Sequence, residues 1–333
     1  MILDLLTGAY PPFVYGAACR DVPVFCFHGV ETESFVAQLE FLAANGYRTV
    51  TIDEALANPG RTSVMLTFDD GWGSLWDVGL PLIKKYDVRI VVFLAAARMG
   101  ESPFLTWEQI GDMHETGLVD FQSHTLNHSR VFCSEKIEDF LHPSFGKTPF
   151  DLPEWERGPH ALGRPIYRSH PRMGDCRRYL EDDQLRAACE SHAADHGGED
   201  FFRRPDWRAD LRELVGKHPP RGRFETNEER EKALWRELDG SKRMIEERLG
   251  KPVNHVCYPW HCYSTLALDL SSKAGYETAF VAKVSGRYRG IRRGNPCLVG
   301  RTGGDFFFRL PGKGRVSLAR ILLRKLCRHM GRE

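Results

Sequence analysis

The chain is short of most features that assign a protein to a special class at once. No stretch reaches the roughly 18 consecutive apolar residues of a membrane span, so no spanning helix is expected. Charge of one sign is not in excess: 46 Lys+Arg stand against 45 Asp+Glu, a net +1. That balance argues against binding nucleic acid by bulk charge, which needs a concentrated basic surface. The nine cysteines, at 19, 26, 133, 176, 189, 257, 262, 297 and 327, are odd in number and include no C-x-x-C pair. They read as free thiols of a reducing compartment rather than a disulfide framework or a Cys-based zinc site. The start, MILDLLTGAYPPFVYG, has neither a basic beginning nor a long apolar core. No secretory signal is expected there, and the chain reads as cytoplasmic. Internal repeats and low-complexity segments are also missing.

What is present is an ordinary globular composition. The 333 residues are 42% hydrophobic and 27% charged, enough to bury a large core, and disorder or a collagen-like fibre is excluded. Seven short apolar or β-branched runs read as buried strands: Pro23–Phe27, Ser63–Phe68, Arg89–Leu94, Leu118–Phe121, Val253–Tyr258, Thr278–Val281 and Cys297–Gly300. The stretches between them carry helical spacing, as in Thr32–Asn45 with Phe35, Leu39 and Leu42 on one side. Alternating strand and helix predicts an α/β protein with a parallel sheet or barrel.

Between residues 133 and 224 the rhythm fails. That stretch is rich in Arg, Asp, Glu, His and Pro and offers one convincing helix, Glu181–His196. It reads as an inserted cap or subdomain. A capping box at Thr226-Asn227-Glu228-Glu229 then opens a helix that Gly250 and Pro252 end after Leu249.

Thr67-Phe68-Asp69-Asp70-Gly71 closes the second strand. Two adjacent carboxylates are costly to hold together unless something positive lies between them, and barrel active sites gather at strand C-termini. His124-Thr125-Leu126-Asn127-His128 follows the fourth strand. Histidines at i and i+4 share one face if the segment enters a helix, so both imidazoles can turn toward one ion, and with Asp70 they make a two-His, one-carboxylate set with positions left for water.

Together, TFDDG and H-T-x-x-H resemble the NodB-like polysaccharide deacetylases, carbohydrate esterase family 4. The likeness extends to PVFCFHGV and VNHVCYPW and covers about 20–132 and 225–302. It implies a distorted (β/α)7 barrel over those ranges, with 133–224 as inserted cap and 303–333 as a C-terminal extension. It further implies Asp69 as general base, Asp70, His124 and His128 as metal ligands, and zinc as the ion, with nickel, cobalt or iron as substitutes. Tyr258-Pro259-Trp260 is similar to the family's third motif, where a backbone N–H near the Tyr helps hold the oxyanion; here His261 stands where many relatives have Gly. No late Leu-x-His motif is found, so His28, after the first strand, is the expected general acid, as in the subgroup with an early His-Gly motif. Arg301 is a candidate partner for Asp69. Trp72, and with less reason Trp76, are candidates for stacking on a sugar ring.

Ser317–Arg332 reads as a helix with Leu318, Leu322, Leu326 and Met330 in one stripe and Arg320, Arg324, Arg328 and Arg332 in another, about 200° apart. From Lys313 to Glu333 there are seven Lys+Arg and one Asp+Glu. A basic amphipathic helix of this kind suits an anionic membrane surface, and a docked terminal helix is the competing reading. The expected activity is metal-dependent hydrolysis of an N-acetyl group on an amino sugar in a glycan or glycoconjugate, with a lipid-linked intermediate at the inner leaflet as one substrate. A same-fold hydrolase of a cyclic imide or other non-sugar amide stays open, as does a non-catalytic glycan-binding protein. A non-haem iron oxygenase shares the ligand types but not the H-x-D…H order.

Overall fold

The computed structural model describes residues 10–17, 21–57, 60, 62–145, 161–218, 221–282, 290–291 and 297–329. Met330 and Arg332 of the expected basic helix, the side chain of Arg328, and 146–160 of the expected insertion lie outside these.

The chain divides into two compact units, one of 1–126, 236–261 and 268–333, the other of 127–235 and 262–267. The first is built on one sheet. Its strands are β1 (Val24–Phe27), β2 (Arg48–Thr49), β3 (Ser63–Asp70), β4 (Ile90–Leu94) and β5 (Val119–Ser123). After the second unit's β6 (Arg130–Phe140), β7 (Pro165–Pro171), β8 (Tyr179–Leu180) and β9 (Arg223–Phe224) come β10 (His255–Cys257), β11 (Thr278–Val281), β12 (Cys297–Gly300) and β13 (Thr302–Gly303).

The order is β12-β11-β10-β5-β4-β3-β1-β13, with β2 on β3, and every pairing is parallel. β12 and β13 are one run interrupted at Arg301. Its first part pairs with β11 and its second with β1, so the two ends of the path meet across a single residue. The seven expected runs are therefore the seven walls of a nearly closed barrel. Its interior holds Val24, Met65, Val91, Phe93, Cys257, Phe280 and Val299, all buried. Side chains alternate along a strand, so Thr67 and Asp69 follow Met65 inward, as Cys26 follows Val24 and Arg301 follows Val299. Parallel strands put all these upper positions at one end, and that end carries the site.

In the second unit, β6 and β7 form an antiparallel ribbon with irregular register. Helices Asp183–Asp195 and Trp207–Lys217 bury Leu185, Cys189, Trp207 and Leu211 against Phe140 and Phe201. A buried ion pair, Arg172 with Glu225 at 2.8 and 2.9 Å, ties two of its loops. Helix Asn227–Leu249 opens with the expected capping box: Glu229 N–H donates to Thr226 Oγ1, and Thr226 N–H to the Glu229 carboxylate.

The C-terminal helix spans Leu318–His329. It seats Ile321, and Lys325 pairs with Asp305 at 2.8 Å while lying over the Phe306 ring. Leu323 and Leu326 are 61% and 53% exposed, so the docked face centres on Ile321 rather than on the stripe through Leu326. No helix among the described residues is long and apolar enough to cross a membrane.

Candidate active site

The upper rim of the barrel concentrates backbone strain. Among the described residues, six non-glycine residues have positive φ, and five of them are Asp70, Thr125, His128, Trp260 and His261. L-residues adopt this region at a cost, and such residues cluster where the fold fixes functional side chains. Asp70 (φ 71°) ends β3 by turning out of the strand, and Gly71 (φ 81°) completes the turn. A Cβ on Gly71 would come within 2.8 Å of Leu94, so this position needs glycine for space as well as conformation.

The turn separates the two aspartates. Asp69 keeps the inward direction and is gripped by Arg301, whose Nη1 and Nη2 each lie 2.6 Å from one carboxylate oxygen. Arg301 is wholly buried, donates also to Thr67 Oγ1 at 3.1 Å and lies over the Phe93 ring. Burial alone would raise the Asp69 pKa. The Arg301 charge and hydrogen bonds, with His124 and His28 nearby, override it and hold the carboxyl well below the usual carboxylate range. Asp70 goes the other way: burial and the Asp69 charge raise it against the pull of His124.

His124 follows β5, held by its N–H donating to the Leu94 carbonyl at 2.8 Å. Its Nδ1 lies 2.8 Å from the Cys257 carbonyl. A carbonyl only accepts, so Nδ1 carries the hydrogen and Nε2 presents a lone pair. Nε2 lies 3.4 Å from Asp70 Oδ1. Burial and the Arg301 charge outweigh the two aspartates and lower the His124 pKa, favouring the neutral form a metal requires. Asp70, His124 and His128 each offer one ligand atom, and these atoms all lie within 4.8 Å of one another. The donor set, two imidazoles and a carboxylate with the tautomer of one imidazole fixed, fits a divalent metal ion.

Other expected residues fall differently. Trp72 is half-buried; its indole N–H donates to Asp70 Oδ2 at 2.9 Å and its ring packs on Phe104 at 5.2 Å. It braces the carboxylate. Tyr258 is fully buried, its phenol 2.7 Å from Ser271 Oγ and its amide donating to the Phe280 carbonyl. Both groups are thus turned into the barrel wall. Trp260 is 38% exposed. Trp76 is half-buried beside the turn. His28 is exposed and near enough for its charge to act on Asp69 and Asp70.

His261 is more deeply involved than its sequence position indicates. Arg301 Nη2 lies 3.4 Å from its Nδ1. Guanidinium has no acceptor, so Nδ1 accepts and the ring hydrogen sits on Nε2. Burial first, and the Arg301 charge second, push the His261 pKa down to about 3. It is a neutral imidazole with a fixed N–H donor.

Residues 57–143 match the family model described as polysaccharide deacetylase. The poly-β-1,6-N-acetyl-D-glucosamine N-deacetylase of Staphylococcus epidermidis is 31% identical over 170 residues, 48% of this chain and 57% of the relative. The chain spans about half the length of the curated relatives it matches. Among solved structures, a de-N-acetylase from Aggregatibacter actinomycetemcomitans superposes with a TM-score of 0.56 at 17% identity, covering 85% of this chain and 94% of the other. IcaB from Ammonifex degensii gives 0.51 at 18% identity, covering 88% and 96%. The chain is similar to the polysaccharide deacetylases, and its barrel is theirs.

Proposed function

We propose that the protein is a metal-dependent N-deacetylase that hydrolyses the acetamide of an amino sugar in a glycan. The observation that carries this reading is the division of labour between adjacent aspartates: Asp69 locked ionised by Arg301, Asp70 beside His124. Asp70, His124 and His128 hold the ion, zinc in this proposal. When bound, the ion polarises the amide carbonyl and acidifies water, neither of which reacts readily at neutral pH.

Asp69 takes the proton of the attacking water. Its low basicity is offset by its position, since both its oxygens stay fixed by Arg301 throughout. His28 protonates the departing amine. His261, neutral and donating through Nε2, hydrogen-bonds the substrate's oxygen as negative charge grows on it. Trp72 holds Asp70 in place for the ion.

Purified protein incubated with N-acetylglucosamine oligomers releases acetate, and Asp69→Asn abolishes the release while the metal content stays at one ion per chain. Absence of acetate release from every N-acetylated sugar, with turnover of a cyclic imide, overturns the proposal in favour of the non-sugar amide hydrolase. We further propose that the exposed pair Leu323 and Leu326, beside exposed Arg320 and Arg324, touches an anionic membrane surface and brings the site to a lipid-linked glycan.

A further inference from the structure

The hydrolytic ligands are not the only donors gathered at this end of the barrel. Asp69, His124 and Cys257 also present one ligand atom each, mutually within 4.8 Å and all buried. Asp69 Oδ2 lies 3.9 Å from His124 Nε2 and 3.9 Å from Cys257 Sγ. Bond lengths of about 2.0–2.3 Å to zinc place tetrahedral O, N and S donors roughly 3.3–3.5 Å apart. Contraction by about half an ångström therefore brings both Asp69 distances into that range.

We propose that Asp69, His124 and Cys257 form a second metal position, selective for thiophilic divalent ions such as Cd2+, that excludes the hydrolytic ion and switches the site off. The binding half stands on these three residues alone; the inhibition rests on the deacetylase reading above. Three features argue for it. His124 has one nitrogen to give, because Nδ1 is committed to the Cys257 carbonyl. An ion that takes Nε2 on the Asp69 side removes a ligand from the other position. The same ion occupies the oxygen of Asp69 that the hydrolysis needs. Finally, Arg301, 2.6 Å from that oxygen, places a fixed positive charge beside the position. A hard ion such as Mg2+ has only the Asp69 carboxylate, already shared with Arg301, to set against that repulsion, whereas a soft ion also gains a metal–sulfur bond. On binding, the Cys257 S–H bond breaks, the sulfur keeps the electron pair and bonds the ion, and the proton passes to bulk water. No electron is transferred.

The test uses the full chain, metal-free and metal-loaded. Titration of the metal-free protein with Cd2+ is followed by ultraviolet thiolate-to-cadmium charge-transfer absorption, comparing wild type with Cys257→Val, which keeps the buried volume. The eight other cysteines are present in both proteins, so the wild-type excess isolates Cys257. The expected result is an excess equivalent to one thiolate per chain, and about ten-fold or greater resistance of the loaded variant's acetate release to Cd2+. Should Cys257→Val fail to fold, Cys257→Ser takes its place. Identical absorption in wild type and variant overturns the second position, whatever the activity. A wild-type excess with equal Cd2+ sensitivity overturns the inhibition. A wild-type excess in a protein that releases no acetate leaves the position standing and fails the deacetylase reading instead.

Discussion

Arg301 meets both oxygens of Asp69 at 2.6 Å from a position 232 residues further along the chain, at the break where one run passes from β12 to β13. The residue that interrupts the last barrel strand is thus the one that fixes the candidate base. Closure of the barrel and ionisation of Asp69 are coupled.

That coupling has a cost when one partner is removed. Arg301→Met leaves a buried carboxylate without its counter-charge, and a loss of about 3–5 kcal/mol is expected. Asp69 is ionised in the native protein to a lower pH than in the unfolded chain, where a carboxyl titrates near about 3.9. The pair's contribution is therefore complete above that value and is lost as pH falls through the native pKa. Denaturant unfolding at pH 7 and in steps toward pH 3 checks this. Wild type should lose stability on acidification faster than Arg301→Met. Parallel curves would show that the pair contributes no pH-dependent stability.

Trp72→Phe removes the indole N–H from Asp70 Oδ2 and keeps a ring to pack on Phe104. Loss of a hydrogen bond that orients a metal ligand typically weakens binding about 10–100-fold. Competition with a chromophoric chelator measures the change, with the unfolding midpoint as control. If Trp72 instead serves only to stack on sugar, metal affinity stays at the wild-type value and KM alone rises.

The legibility of the fold follows from the range of the interactions involved. The seven strand runs are local patterns of apolar and β-branched residues, and each is a wall of the barrel. Asp70 and His124 stand at strand ends where a turn and an i, i+4 spacing mark them, although 124–129 is a loop with Thr125 and His128 at positive φ and not the helix for which that spacing argues. The Arg301–Asp69 grip was visible only as a candidate, because it depends on register accumulated around the whole barrel. His261 was less visible still: its tautomer is set by a guanidinium 40 residues away and its left-handed backbone by the loop after β10. Trp72 is ambiguous for another reason. An indole after a carboxylate turn suits sugar stacking and carboxylate bracing equally, and the 2.9 Å contact to Asp70 is a matter of rotamer. For the terminal helix, the sequence marks a stripe through Leu318, Leu322 and Leu326, whereas the buried residue is Ile321, with Lys325 over the Phe306 ring.

The exposed apolar pair on that helix gives a prediction for the membrane proposal. In flotation with vesicles containing anionic lipid, wild type should rise with the vesicles, and Leu323→Ser/Leu326→Ser should remain below. Raising salt should release wild type, because the arginine attraction is screened over about 10 Å at 0.1 M. Equal recovery of both proteins in the soluble fraction removes the membrane contact.

His261 and His28 are tested by substitution and rescue. His261, already neutral down to about pH 3, undergoes no protonation change in the working range and leaves no limb in a rate profile. Its loss as an N–H donor in His261→Phe should lower kcat about 100-fold, by analogy with removing one oxyanion donor, without altering the profile's shape. His261→Gln, which keeps an N–H, should recover part of that loss. His28→Gln removes the proposed acid for the departing amine and should lower kcat for acetate release. Acetate-release rates from pH 5 to 10 for the three variants check both: a changed profile shape in His261→Phe would overturn the neutral-donor role, and a wild-type rate in His28→Gln would remove His28 from the reaction.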